Sequence, residues 1–110
     1  MLPRRLRIKV RDFNRIPQRE MKINSENFNF YAKEPGGVSR FVISVPKSLD
    51  KRASKRNYTR RIIEQVILSN EAKLKKGKLV LIRAKKIINN ENRTILAREL
   101  GKLLRYEFGN

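Results

Sequence analysis

Seven of the fifteen residues from Lys47 to Arg61 are cationic: Lys47, Lys51, Arg52, Lys55, Arg56, Arg60 and Arg61. Asp50 is the single acid among them. On a helix Arg52, Arg56 and Arg60 recur at i, i+4 and i+8, and Asn57 and Arg61 make a second row beside them. Like charges spaced this way cost roughly a few tenths of a kcal/mol per pair. A face that only had to stay solvated would intersperse glutamates, and here they come later, at Glu64 and Glu71. The chemistry that fits is phosphate binding, since each guanidinium fork can give two parallel hydrogen bonds to phosphate oxygens. A plain charged helix face is the competing reading, and the lack of alternating acids weighs against it.

Bond-breaking chemistry has no comparable set of residues. The chain has no His and no Cys, which removes the usual neutral-pH general base, the thiolate nucleophile and the commonest zinc ligands. Asp12 and Asp50 are the only aspartates, and the glutamates are scattered, so no carboxylate cluster for a metal-dependent nuclease is visible. Gly36-Gly37 reads as a turn and not as a phosphate loop. Among the aromatic residues, Tyr31 falls on the strand parity opposite Phe28 and Phe30. There a ring can stack on an unpaired base, although plain packing is the commoner fate of a lone tyrosine.

The whole chain repeats the message of its basic stretch. Across 110 residues, 28 Lys and Arg face 10 Asp and Glu, a formal charge of +18, and a compact domain so charged is best placed beside a polyanion. The length suits one domain over residues 1–110, with residues 1–9 expected to form a mobile basic arm. No apolar run approaches a membrane span, and the N-terminal segment lacks a signal peptide's apolar stretch, so a cytoplasmic chain is expected.

The elements that must position these groups follow from periodicity. Arg11 to Ile16 can form a short helical turn that Pro17 stops. Residues 21–32 alternate in the manner of a strand, with an interruption near Asn24-Ser25, and Arg40 to Val45 reads as a second strand ended by Pro46. Residues 50–70 predict a long helix capped by Ser48 or Asp50, its apolar stripe formed by Tyr58, Ile62, Ile63, Val66 and Ile67. Leu79 to Ile82 suits a buried strand. Arg93 to Tyr106 reads as a closing helix with Leu96, Leu100, Leu103 and Leu104 on one face. The order α-β-β-β-α-β-α points to an α+β, two-layer sandwich with a mixed sheet, the strands flanking the 50–70 helix being parallel.

These residues resemble the bacterial ribonuclease P protein. The run Ser44-Val45-Pro46-Lys47, followed by Ala53-Ser54-Lys55-Arg56-Asn57-Tyr58-Thr59-Arg60-Arg61, is similar to the family's Ser-Val-x-Lys strand end and its Ala-x-x-Arg-Asn-Arg-x-Lys-Arg helix opening. Met1-Leu2-Pro3, Arg11-Asp12-Phe13, Asn27 to Tyr31 and Lys78 to Arg83 resemble other family segments in order. Three positions depart from the pattern: Tyr58 stands where the second motif arginine belongs, Ser48 where a second lysine is common, and Pro17 where a phenylalanine is frequent. The resemblance implies a fold like the second domain of ribosomal protein S5. It implies a non-catalytic subunit that binds the ribonuclease P RNA one-to-one and assists 5′ maturation of precursor tRNA. Mg²⁺ would be held by the RNA, with no protein-only site. It further implies that Lys51, Arg52, Lys55, Arg56, Asn57, Arg60 and Arg61 bind the catalytic RNA, and that Phe13, Tyr31, Ser44 and Lys47 bind the 5′ leader. A ribosomal or other structural RNA-binding protein is the alternative that the composition leaves open. A DNA-binding protein is disfavoured because no helix-turn-helix spacing is visible.

Overall fold

The computed structural model describes residues 2–17 and 19–110. Residues 21–33 form a hairpin of β1 (Met21–Asn24) and β2 (Phe28–Lys33), the first two of the three strands expected before the long helix. Ser25 makes the bend: its hydroxyl donates to the Phe28 carbonyl at 2.6 Å and accepts the Phe28 amide at 3.2 Å. The interruption expected near Asn24-Ser25 is therefore a chain reversal. β3 (Arg40–Ser44) and β4 (Leu79–Ala84) are joined through α2 (Ala53–Asn70), and that long crossover lets them pair in parallel. β2 pairs antiparallel with both β1 and β4, which gives the sheet order β1-β2-β4-β3. A six-residue helix, α1 (Val10–Arg15), precedes the sheet, and α3 (Arg93–Phe108) closes the chain. Among the described residues no helix is long and apolar enough to cross a membrane.

Strand alternation sends one set of side chains into the core. Phe28, Phe30 and Ala32 of β2, Val80, Ile82 and Ala84 of β4, and Phe41 of β3 meet Ile62, Ile63, Val66 and Ile67 of α2 and Leu96, Leu100, Leu104 and Phe108 of α3. Phe30 and Phe108 lock sheet to helix edge-to-face, with ring centroids 5.9 Å apart. Each such fully buried side chain contributes about 1.5–3 kcal/mol by leaving water. This layer fixes which face of α2 points inward and so which residues remain for binding.

Two expectations are corrected. The segment 2–9, read as a mobile arm, is docked. Leu2 and Leu6 are buried in the core cluster, the Leu2 amide donates to Glu64 Oε2 at 3.1 Å, Arg5 pairs with Glu71, and the Ile8 amide donates to the Phe41 carbonyl at 3.1 Å. Two leucines four residues apart outweigh the surrounding arginines, because their burial recovers hydrophobic free energy that a free arm forgoes. Met1 lies outside the described residues. The second correction concerns the start of α2. Arg52 holds the N-cap position without a side-chain cap, and neither Ser48 nor Asp50 caps the first turn. Asp50 Oδ1 instead takes the Arg52 amide at 2.9 Å, closing the loop one step before the helix begins.

Candidate nucleic-acid interface

The parity that buries Phe28 and Phe30 leaves Asn29, Tyr31 and Lys33 on the opposite face, and register sets their neighbours in rows across the sheet. Lys22, Tyr31, Leu81 and Val42 form one row, and Asn24, Asn29, Arg83 and Ser44 the next. A third row, Lys33, Leu79 and Arg40, lies at the end where α1 crosses. α1 is held there by Lys33, which is only 6% exposed. Its ammonium donates to the Phe13 carbonyl at 2.7 Å and the Ile16 carbonyl at 3.1 Å, and it sits 4.5 Å from the Phe13 ring centroid. α1 therefore makes a wall at one end of the open face, with Tyr31 on the floor and the Lys22 ammonium 5.5 Å from the Tyr31 ring. The Asn29 carboxamide oxygen is buried in this floor and has no partner among the described residues.

The basic helix starts at the other end of the same floor. β3 ends at Ser44, beside Arg83, and the chain runs through exposed Lys47 to the first turn of α2. No acidic residue lies in that turn, so the positive end of the helix adds to its side chains. Lys51, Arg52, Lys55, Asn57 and Arg61 are exposed, and Arg56 and Arg60 are half-buried. At 100° per residue Asn57 and Arg61 form the outer crest, while Arg56 and Arg60 occupy one flank. Several of these groups are pre-positioned. Arg56 Nη1 donates to the Asp50 carbonyl at 2.7 Å, and Arg60 Nη1 donates to Asn57 Oδ1 at 3.0 Å. Arg52 grips Asp50 through Nε at 3.0 Å and Nη2 at 2.8 Å. That grip neutralises part of the charge Arg52 would offer. It also pulls the Asp50 carboxyl down to about 2, chiefly through the Arg52 side-chain hydrogen bonds and then its amide.

The residues singled out from sequence thus fall in two connected zones. Tyr31, Ser44 and Lys47 line or adjoin the floor, and the seven helix-motif residues surround the first two turns of α2. Phe13 differs from its expected part, because its ring is 1% exposed under Lys33. It offers no face for stacking and serves as packing beneath the wall. Sequence reading placed Asn29 on this face with Tyr31 but gave it no role, and overlooked Lys22, Lys33, Arg40 and Arg83 there. Their strand parity, shared with Tyr31 or set by the parallel register, is the signal that finds them. Among the described residues no three carboxylate, His or Cys side chains gather where one divalent ion could take them as ligands.

The family model described as Ribonuclease P matches residues 2–107. The chain is similar in structure to an RNase P protein from Thermotoga maritima, with a TM-score of 0.74 and 20% identity over 94% of this chain and 98% of that one. It is similar also to a Staphylococcus aureus RNase P protein, at a TM-score of 0.67 and 20% identity over 94% and 95% of the two chains. At these identities the structural likeness is one of fold. No curated protein matches the chain.

Proposed function

This chain belongs to the ribonuclease P protein family, and we propose that within the enzyme it is the positioning subunit, the RNA carrying the cleavage chemistry. It is an RNA-binding protein of tRNA processing and has an RNA component as its partner. In the proposal the first two turns of α2 hold the catalytic RNA, one protein to one RNA. The open sheet face, from the α1 wall past Tyr31 to Ser44 and Lys47, takes the single-stranded 5′ leader of precursor tRNA. The observation that carries this reading is continuity. A floor with a half-exposed aromatic ring and a cationic helix start meet at one end of the sheet, so a strand leaving a structured RNA runs onto the floor without a gap. Aromatic stacking suits unpaired nucleotides, and arginine forks suit the phosphates of a folded RNA. Neutralising phosphates where leader and RNA converge lowers the Mg²⁺ needed for cleavage, the ions themselves being held by RNA phosphates.

The test is precursor-tRNA cleavage by a bacterial ribonuclease P RNA at low Mg²⁺, with this protein or with a basic protein of equal charge. Rescue by this protein alone is expected. Equal rescue by both proteins, or by neither, defeats the reading. Within the same assay Arg61→Ala weakens association with the RNA by about 1–3 kcal/mol, the range for a charge-assisted hydrogen bond. Tyr31→Ala weakens binding of leader-bearing substrate by about 1–3 kcal/mol, the range for one lost stack. Its effect vanishes when the leader is removed.

A further inference from the structure

The junction between the first turns of α2 and α3 contains a pocket outside both zones. It has a volume of about 480 Å³ and is lined by Ser54, Lys55, Tyr58, Ile88, Asn89, Asn90 and Glu91. Its walls are tied together. Thr59, fully buried, accepts the Ile88 amide at 3.0 Å and donates to the Lys55 carbonyl at 3.0 Å, which fastens the β4–α3 loop to the basic helix. The Tyr58 hydroxyl donates to Asn90 Oδ1 at 3.2 Å and accepts Arg93 Nη1 at 3.3 Å. Asn89 Oδ1 accepts the amides of Glu91 and Asn92 at 2.9 and 3.0 Å, which holds the loop's turn. Tyr58 sits on the flank of α2 opposite Arg56 and Arg60, so the pocket extends the cationic surface around the helix onto α3.

Resting on the RNA-binding reading above, we propose that this pocket receives one unstacked nucleotide of the partner RNA. The half-buried Tyr58 ring offers an aromatic surface for a base. The Asn90 amide nitrogen, with no protein partner among the described residues, can donate to a base edge. Lys55 lines the pocket as a phosphate partner, and Arg93, exposed and bonded to the Tyr58 hydroxyl, is a second cation beside the ring. An RNA is favoured over an acidic peptide because Lys55 belongs to the basic ridge as well, so whatever occupies the ridge passes the pocket mouth. In this geometry Arg93 supplies, from α3, a guanidinium beside the position where the chain carries Tyr58.

The chain lacks cysteine, so a single introduced thiol carries a photocrosslinker without background. The protein is bound to a bacterial ribonuclease P RNA, with the crosslinker on Glu91→Cys, exposed at the pocket lining, or, as a control, on Lys102→Cys, exposed further along α3. The proposal expects efficient crosslinking from Glu91→Cys to one short unpaired stretch. It also expects Arg93→Ala to weaken the RNA complex about tenfold, one charge-assisted contact, with thermal stability unchanged. Crosslinking no better than from Lys102→Cys, with affinity unaffected by Arg93→Ala while Arg61→Ala still loses binding, overturns the pocket and leaves the ridge standing. If Arg61→Ala has no effect either, the RNA-binding reading of α2 falls and the pocket with it.

Discussion

Asp50 organises the basic segment although it opposes the segment's charge. Its carboxylate takes the Arg52 amide, Nε and Nη2, and its carbonyl takes Arg56 Nη1. The carboxyl, ordinarily at 3.8, is held near 2, first by the Arg52 side-chain hydrogen bonds and then by its amide. A carboxylate with a depressed folded value contributes stability that is complete above its unfolded value and is lost as pH falls through the folded one. The stability difference between the native protein and Asp50→Asn is therefore constant above about pH 5 and shrinks as pH falls through about 2, as denaturant melts across that window will record. At neutral pH the same substitution raises the net charge by one and releases the Arg52 fork. The expected outcome is tighter RNA binding, with a salt dependence steeper by up to about one counterion. Weaker binding would instead show that Arg52 must be held by the Asp50 carboxylate to meet the phosphates, since the backbone carbonyl that takes Arg56 is kept in the variant. This pairing lies two residues apart in the sequence, yet reading the charges as one row concealed it.

α1 shows what an element needs from its surroundings. Six residues cannot sustain a helix alone, since nucleation costs more than so few hydrogen bonds return. Lys33 supplies the missing stabilisation from β2, through two carbonyls at the helix end and the Phe13 ring. Lys33→Met removes those bonds and strands two carbonyls, a loss on the order of 1–3 kcal/mol concentrated in α1. Amide exchange at Phe13, bonded to the Lys9 carbonyl, then accelerates. Affinity for leader-bearing substrate falls while leaderless substrate binds as before; an equal loss on both would place the strut outside the leader path. The strands, α2 and α3 were legible in sequence because their apolar periodicity records which face is buried, and parity alone put Tyr31 opposite Phe28 and Phe30. Lys33 was not, since a lysine on a strand carries no mark of burial until a helix end is laid over it. The docking of residues 2–9 hid behind arginines surrounding Leu2 and Leu6. The contact of Tyr58 with Asn90 and Arg93 joins residues more than thirty apart, which no local pattern encodes.

At the scale of the molecule, the charge of +18 tempts one to treat the protein as a uniform cation, and its shape argues otherwise. The longest extent is 37 Å, several times the screening length of about 8 Å at physiological ionic strength, so cations at one end of the molecule do not feel a phosphate at the other. Only groups that touch the RNA release its counterions. If the α2 ridge, Lys47, Arg83 and Lys22 engage on the order of six to ten phosphates, log affinity falls linearly with log salt, with a slope of about −0.7 to −0.9 per phosphate. Affinity then drops by about 10³–10⁵ between roughly 50 and 200 mM monovalent salt, well short of what all the excess charge would give. Filter binding across that range measures the slope directly. Removing the leader should flatten it by the few phosphates assigned to the sheet face, whereas Arg61→Ala should flatten it by about one with or without a leader. A slope near the full net charge, insensitive to both changes, would mean that the RNA is held as a diffuse polyanion, and the ordered path from α1 to α2 would lose its functional meaning.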